Sequence, residues 1–316
     1  MTNIIQPGEK IGVLMMCLLL SDVYEDFLRS RKLAGLSKKS IACYKDFLRP
    51  FLEFCGYDLP LERLSYALIT DYIDTIYNKN LAHSSISTYI THLKVFLRYV
   101  ENFYNVDLRT CFIRVPKKHK KIVHIYTDAE ILEIYKNIKT SVPWLTIRNK
   151  LIISLMLDSG LRQNEVCTLL TNNVTLVERK IKVIGKGSKE RLVPIGELTV
   201  HFFKQYFLLC PYKDKKEVLL CKNGSPLTTN SVKLLMSKIA KKLPFEFSSH
   251  KLRHNFGTNY CLDQYDKYGQ VDIYKLMIIM GHEDIETTRR YLHLANEIIV
   301  ARSNISHMDR LFNELT

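Results

Sequence analysis

The chain has 316 residues, and its 46 lysines and arginines against 32 acidic residues give a formal net charge of +14. Its hydrophobic content of 47% excludes a disordered protein and is sufficient for two packed cores, the usual number at this length. A positive excess of this size points to a polyanionic partner, with nucleic acid favoured over an anionic membrane.

The start of the chain carries its longest apolar run, Ile11–Leu20, which is about half of the ~20 residues that a membrane-spanning helix needs. Lys10 is the one basic residue before it and no small-residue cleavage site follows, so a packed helix or an extended start is favoured over a signal sequence. The eight cysteines form no C-x-x-C pair and have no metal-ligand spacing with histidine. We therefore expect reduced thiols, no metal, no membrane segment and a cytoplasmic protein.

Residues 21–106 are predicted to form a small bundle of helices, because apolar residues recur there at helical spacing. The charged residues Lys38 and Lys39 fall on a predicted solvent face, where they are either an ordinary solvated surface or contacts to phosphates. The predicted helices are Val23–Leu33, a run capped by Ser37 with an apolar stripe from Ile41 to Leu52, Ile69–Tyr77, and a run opened by Ser84 or Ser85 with a stripe from Ile86 to Val100.

A basic segment, Val115–Val123, follows the helical region. It contains a proline, lacks apolar periodicity and is predicted to be extended. Two interpretations stay open and are compatible: a flexible connector, or a strap along a phosphate backbone. Its lysines are Lys117, Lys118, Lys120 and Lys121.

The second half of the chain mixes helices with a short strand-rich patch. Thr127-Asp-Ala-Glu130 has the pattern of a capping box, and Asp263–Gln270 is predicted to be a polar surface loop. The predicted strands are Val174–Val177, Lys180–Ile184, Arg191–Ile195 and Glu217–Cys221. The predicted helices are Ile147–Leu157, a run from Leu161 to about Leu170, Leu198–Leu209, Thr229–Lys242, His250–Cys261, 271–280, a segment around Tyr291, and Met308–Leu315.

The stretch from Gly281 to Tyr291 carries the strongest chemical signal. Gly281 is placed to end the preceding apolar helix, His282 follows at once, and Tyr291 lies in the next predicted helix. This spacing favours one cleft for both side chains. A tyrosine hydroxyl, with a reference pKa of about 10, attacks a phosphodiester only where a cationic pocket holds the phosphate.

Two regions upstream could contribute cations to such a pocket. Arg162 stands at a predicted helix start, where the helix dipole disfavours a cation, so it needs an anionic partner; Glu165 could make this an ordinary internal ion pair. Lys186 lies between two glycines at a hairpin tip, where lysines are commonly just solvated, and Lys189 and Arg191 compete for its role.

A histidine and an arginine, His250 and Arg253, are spaced to share one face of a helix. His254 is expected to point elsewhere and is a separate candidate. Taken alone, each of these residues has an ordinary structural explanation, and so has His282.

Together these residues resemble a known family, the tyrosine recombinases, which include the phage-integrase and Xer-type enzymes. The similarity is specific over residues 125–300, whereas 21–106 resembles the family's core-binding domain in pattern only. The motifs are Ser-Gly-Leu-Arg-x-x-Glu around Arg162, Gly-Lys-Gly-x-Lys-Glu-Arg around Lys186, His-x-Leu-Arg-His from His250, and Gly281-His282 with Tyr291.

The resemblance implies a mainly α fold with a small β-sheet: a helical, SAM-like core-binding domain followed by an α+β catalytic domain, the two forming a C-shaped clamp around duplex DNA. The implied segments are an N-terminal extension at 1–20, the core-binding domain at 21–112, the basic linker at 113–124 and the catalytic domain with its C-terminal helix at 125–316.

The resemblance also implies a role for each site residue. The implied roles are Tyr291 as the nucleophile that forms a 3′-phosphotyrosine, Arg162 and Arg253 as clamps on the scissile phosphate, Lys186 as the general acid for the 5′ oxygen, His250 as an aid to proton transfer, His282 as a hydrogen-bond donor to the phosphate, and Glu165 as the residue that orients Arg162. The DNA contacts expected outside the pocket are Lys38, Lys39, Lys117, Lys118, Lys120, Lys121, Lys189 and Arg191.

The implied partner is double-stranded DNA with specific recombination sites, bound by a homotetramer without metal, ATP or other cofactor. Ser303–Thr316 is long enough to dock on a neighbouring subunit. Two alternatives stay open at this point. One is a relative with the same chemistry, such as a type IB topoisomerase or a telomere resolvase, and the other is a catalytically silent DNA-binding protein.

Overall fold

The computed structural model describes residues 18–116, 124–185 and 189–302. The described residues divide into two compact units, one within 18–116 and the other within 124–302. Each unit is mainly helical and has a hydrophobic core of its own.

The first unit is a bundle of α-helices. The hydroxyl of Ser37 caps the second of these helices by accepting from the backbone N–H of Ser40 at 3.1 Å, as the sequence predicts. The fourth helix begins at His83 without a side-chain cap, so the predicted start at Ser84 or Ser85 was wrong. The helices are α1 (Leu20–Leu33), α2 (Lys38–Cys55), α3 (Tyr66–Asn78) and α4 (His83–Tyr104).

Aromatic rings fill the centre of this bundle. Phe27, Phe51 and Phe96 are fully buried, and Phe27 meets Phe96 edge to face with ring centroids 5.3 Å apart. The apolar stripe of α4, from Ile86 to Val100, faces this core, which confirms the helical periodicity.

The second unit packs its helices around a central apolar helix and one small sheet. Its first helix begins with the predicted capping box, in which Glu130 accepts from the N–H of Thr127 at 2.8 Å. The elements are α5 (Asp128–Lys136), α6 (Pro143–Leu157), α7 (Gln163–Cys167), β1 (Val174–Thr175), β2 (Lys180–Ile184), β3 (Glu190–Pro194), α8 (Glu197–Leu209), α9 (Thr229–Ala240), α10 (Ser249–Tyr268), α11 (Ile273–Met280) and α12 (Ile285–Arg302).

The sheet is antiparallel, in the order β1-β2-β3. Ile181 pairs with Val193 and both are fully buried, so the sheet turns its apolar face to the core. At the loop end of the hairpin, the N–H of Gly185 donates to the carbonyl of Lys189 at 2.8 Å. Gly185 and Lys189 line one cavity together with Arg162 and His282.

Several predicted elements of the second unit differ from the structure. Asp263–Gln270 is not a loop: α10 continues to Tyr268 and ends at Gly269, because polar residues on an exposed helical face do not break a helix. Glu217–Cys221 is not a strand, since only Glu217 and Leu220 form isolated bridges. The helix that follows Arg162 ends at Cys167 rather than near residue 170.

Two helices come close together at the point where the candidate nucleophile lies. A Cβ atom added to Gly257 of α10 would lie 2.8 Å from the ring of Tyr291 on α12. The glycine thus gives the tyrosine ring the space that it occupies.

No described helix is both long enough and apolar enough to cross a bilayer. Within the same residues, no group of three or more histidine, cysteine or acidic side chains is arranged to hold a metal ion.

Candidate active site

Tyr291 lies on the inner face of α12, and only 1% of its surface is exposed. Its ring stacks on His282 with centroids 6.1 Å apart and meets the ring of His254 at 5.2 Å. Burial raises the pKa of Tyr291, and the charges of Arg290 and Arg253 and a hydrogen bond with Arg290 oppose that rise. The net shift of the pKa is upward, so the hydroxyl is protonated at neutral pH, and the arginine charges offset only part of the cost of ionising it.

The turn between α11 and α12 holds His282 beside this ring. Gly281 ends α11 in the left-handed conformation, with φ at +61°. The N–H groups of Gly281 and His282 donate back to the carbonyls of Ile278 and Met277 at 3.0 and 3.1 Å. This tight helix end, predicted from the glycine, fixes the direction in which His282 leaves α11.

Three arginines bind three successive carbonyls at the same helix end. Arg191 donates to the carbonyl of Ile279 at 2.7 Å, Arg253 to that of Met280 at 2.6 Å, and Arg162 to that of Gly281 at 2.8 Å. The last carbonyls of a helix lack partners within the helix and carry its negative dipole end. The end of α11 therefore gathers guanidinium groups from three distant parts of the chain.

Glu165 is the buried carboxylate beneath these arginines, with 4% of its surface exposed. Arg191 binds both of its oxygens at 2.8 Å, and Arg162 reaches it through the backbone N–H at 2.8 Å and the guanidinium at 3.0 Å. Although burial raises its pKa, the hydrogen bonds and charge of Arg191 and the N–H of Arg162 hold it below its usual value. Glu165 is thus an anion at neutral pH and fixes the position of Arg162.

Arg253 is a buried cation of the site, with its side chain 8% exposed. Besides Met280, it donates to the carbonyl of Gly160, and its Nη2 lies 3.1 Å from Nε2 of His282. Burial and the nearby charge of Arg162 lower its pKa to about 10, so it remains charged at neutral pH.

His282 is neutral and has a defined proton position. Arg253 can only donate, so Nε2 of His282 must accept, and Nδ1 carries the proton. Nδ1 then donates to the hydroxyl of Thr288 at 2.8 Å. Burial and the positive charges of Arg253 and Arg162 lower the pKa of His282 to about 4.

His250 and His254 form a second pair of rings beside Tyr291. Their Nε2 atoms are 2.8 Å apart, one donating and the other accepting. The expectation that His254 points elsewhere was wrong: it is buried between His250 and Tyr291, because residues four apart meet on one helical face. Burial and the charges nearby lower the pKa of His250, and they lower that of His254 to about 3.

The residues predicted to contact DNA occupy different surroundings. Arg191, predicted to contact DNA, binds both oxygens of Glu165 with its guanidinium, and its side chain is 8% exposed. Lys189 is exposed and pairs with Glu283 at 2.9 Å. Lys38 and Lys39 are exposed at the start of α2. Lys186 and the linker residues Lys117, Lys118, Lys120 and Lys121 lie outside the described residues.

A cavity of about 350 Å³ opens above Tyr291. Its polar lining has guanidinium and imidazole groups from four parts of the second unit, and no carboxylate is among the described residues that line it. That lining is suited to an anion. The charged and titratable groups on it are Arg162, His250, Arg253, His282, Arg290 and Tyr291.

Sequence reasoning missed two residues of this site, Arg290 and Thr288. Arg290 lines the cavity with its guanidinium carbon 5.3 Å from the centre of the Tyr291 ring. Thr288 is fully buried against His282. A usable signal existed for Arg290, since it directly precedes the candidate nucleophile. The buried position of Thr288 had no signal in the sequence.

Comparison with known proteins decides the family. The sequence model of the phage integrase family matches residues 124–297, more than half of the chain, and that of the phage integrase N-terminal SAM-like domain matches residues 23–104. The chain belongs to the phage integrase family. It is a tyrosine recombinase, a site-specific DNA recombinase, with the two-part fold that its sequence predicts.

Curated relatives include tyrosine recombinases named XerC from staphylococci. The protein from Staphylococcus saprophyticus is 27% identical to this recombinase over 271 residues, which cover 83% of this chain and 88% of the relative. The protein from Staphylococcus carnosus is 26% identical over 287 residues, covering 88% and 94%.

Solved structures share the fold of this recombinase. A lambda integrase dimer bound to a core site superposes with a TM-score of 0.69 at 16% identity, over 87% of this chain and 95% of that one. The Tn1549 transposon integrase in complex with a circular intermediate DNA gives 0.68 at 17% identity, over 86% and 94%. At these identities the likeness is one of fold.

Proposed function

We propose that this recombinase cuts and rejoins duplex DNA at specific sites by attack of Tyr291 on a backbone phosphorus. The new bond joins the Tyr291 hydroxyl oxygen to phosphorus, and the bond from phosphorus to the 5′ oxygen breaks. A 3′-phosphotyrosine and a free 5′ hydroxyl result. The 5′ hydroxyl of another strand then attacks the phosphotyrosine and forms a new phosphodiester. Rejoining needs no outside source of energy, because the phosphotyrosine bond conserves the energy of the broken phosphodiester.

The observation that carries this proposal is the convergence of Arg162, Arg253 and His282 on one cavity with Tyr291 at its base. These residues come from four separate segments, yet the carbonyls at the end of α11 and the buried Glu165 hold the arginines together. A preorganised cationic cavity over a tyrosine hydroxyl suits attack on a phosphodiester.

In this proposal Arg162 and Arg253 bind the non-bridging oxygens of the scissile phosphate. A guanidinium presents several N–H donors in a fixed plane, which matches the geometry of a phosphate. Both arginines already have fixed partners on their other N–H groups, so little ordering is needed when DNA binds. His282 adds a hydrogen bond to the same phosphate.

The proton of Tyr291 goes to His250 or through it to solvent. The lowered pKa of His250 keeps that imidazole neutral, and a neutral imidazole can accept a proton. Lys186 supplies the proton that the departing 5′ oxygen needs. The cations perform the charge stabilisation that a metal gives in other enzymes, so we propose a reaction without metal or ATP.

Binding of the surrounding duplex is assigned to basic groups outside the cavity. These contacts neutralise backbone phosphates and carry little sequence information. We propose that four subunits act together on two paired sites, in the cytoplasm. The proposed duplex contacts are Lys38, Lys39, Lys117, Lys118, Lys120, Lys121 and Lys189.

The experiment that tests this proposal starts from a library of random duplexes, each with a nick that lets the short fragment with the free 5′ hydroxyl diffuse away after cleavage. DNA that remains attached to the protein under denaturing conditions is sequenced. The sequence shared by these attached molecules is the captured site. We expect a defined sequence to be captured in EDTA and without ATP, and no capture by Tyr291→Phe. Capture by Tyr291→Phe means that another residue is the nucleophile, and capture of every sequence alike contradicts site specificity.

A further inference from the structure

Arg290 and Arg289 are adjacent on α12, but they have different surroundings. The guanidinium of Arg289 forms an ion pair with Glu286 on the exposed side of the helix. The guanidinium carbon of Arg290 lies 5.3 Å from the centre of the Tyr291 ring, and the side chain lines the cavity above it. Arg290 therefore brings a third guanidinium to the cavity that Arg162 and Arg253 line.

Charged and titratable groups face Tyr291 from every element packed around it. They come from the segment before α7, from α10, from the turn after α11 and from α12 itself. They are Arg162, His250, Arg253, His254, His282 and Arg290.

Among these groups, Arg162 and Arg253 already have other partners. Both hold carbonyls at the end of α11 and both lie close to Glu165, at 3.0 and 3.9 Å. Arg290 is exposed at the mouth of the cavity and sits beside the phenol. Its position suits the attacking oxygen, whereas the other two suit the oxygens of the phosphate.

We propose that Arg290 is a further catalytic residue, whose guanidinium contacts the Tyr291 hydroxyl oxygen and stabilises the negative charge that develops there during attack on phosphorus. This inference rests on the proposed role of Tyr291 as nucleophile. Arg290 gives and takes no proton: the phenolic proton still leaves toward His250, and the bond to the 5′ oxygen still breaks.

The charge of Arg290 influences the pH dependence of cleavage. A cation beside a phenol lowers its pKa, and Arg290 is the largest of the charges that do so for Tyr291. The charge of Arg290 is also the largest that lowers the pKa of His250, after burial. Loss of this charge raises the pKa of Tyr291 and the pKa of His250. Each of these changes moves the rising limb of the plot of cleavage rate against pH to higher pH.

The test compares Arg290→Gln with Arg289→Gln, a matched loss of charge one residue away. Cleavage of the captured site is measured in single turnover, at saturating protein, across a range of pH. We expect Arg290→Gln to cleave about tenfold to a hundredfold more slowly at pH 7 and to recover as pH rises. Arg290→Lys, which keeps the charge without the planar group, is expected to lie between Arg290→Gln and the wild type, and Arg289→Gln to match the wild type.

Binding is measured separately by placing Arg290→Gln in the Tyr291→Phe background, where no cleavage occurs. Unchanged affinity together with the shifted pH profile supports the proposal. A loss of affinity with an unshifted profile overturns it, because Arg290 is then only a contact to the DNA backbone. If Tyr291→Phe still forms the covalent adduct, the proposed function itself fails; if it does not and both glutamine variants behave alike, this inference alone fails.

Discussion

Arg253 donates to Nε2 of His282 over 3.1 Å, and this one contact sets the protonation state of the histidine. Because a guanidinium has no acceptor, the imidazole must be neutral with its proton on Nδ1. In the free protein Nε2 therefore cannot donate to a phosphate. A bound phosphate would oppose the cationic charges that lower the pKa of His282, so we expect DNA binding to favour the protonated ring, which can donate.

Thr288 is expected to hold His282 in its place. Thr288→Val removes the hydroxyl that accepts from Nδ1 and leaves that N–H without its partner, at a cost of about 1–2 kcal/mol in the free energy of unfolding. We expect slower cleavage of the captured site with normal DNA binding. Thr288→Ser keeps the hydroxyl and serves as the control; slow cleavage by both variants would show that the hydrogen bond is not the cause.

Glu165 is expected to matter for both stability and cleavage. Glu165→Gln removes the negative charge between Arg162 and Arg191 and leaves buried cations uncompensated, which lowers the free energy of unfolding by about 3 kcal/mol. Urea unfolding measures this change in stability. We also expect a loss of cleavage activity, which is measured with the captured site as substrate. Glu178→Gln, which breaks an exposed pair with Lys180, is expected to change stability by less than about 0.5 kcal/mol. Equal effects of the two changes would contradict the role of Glu165.

The folded protein is expected to lose stability as pH falls from neutral. The pKa of His254 is lowered to about 3 in the folded state, against about 6.5 in an unfolded chain. Between about pH 3 and pH 6.5 the unfolded state binds a proton at His254 that the folded state does not bind. The contribution of His254 to the free energy of unfolding is therefore full above about pH 6.5 and declines as pH falls toward about 3. Urea midpoints at pH 7.5 and 5.0 measure the loss, and His254→Asn should reduce it. An unchanged pH dependence in that variant would place the effect in other groups.

Lys186 carries a prediction that rests on sequence alone. Lys186→Ala should slow cleavage of the captured site, because the departing 5′ oxygen lacks its proton donor. A substrate with sulfur at the 5′ bridging position has a better leaving group and should restore the rate. If the sulfur substrate does not restore the rate, Lys186 is not the general acid. The same pair of substrates tested with Lys189→Ala then shows whether Lys189 has that role.

Local signals in the sequence predicted local structure well. Ser37, Thr127 and Gly281 mark helix ends because a side-chain cap or a left-handed glycine depends on only a few adjacent residues. The polar character of Asp263–Gln270 misled for a related reason: polarity reports exposure, and the exposed face of α10 is as polar as a loop.

The sequence by itself determined which groups are available: a tyrosine after a Gly-His turn, two arginines in recognisable motifs and a carboxylate one turn from the first of them. It did not determine how they meet. The tertiary structure brings Arg162, Arg191 and Arg253 to three consecutive carbonyls of one helix end and buries Glu165 beneath them. These contacts join residues 26 to 119 positions apart, so only the packing of α10, α11 and β3 could decide them.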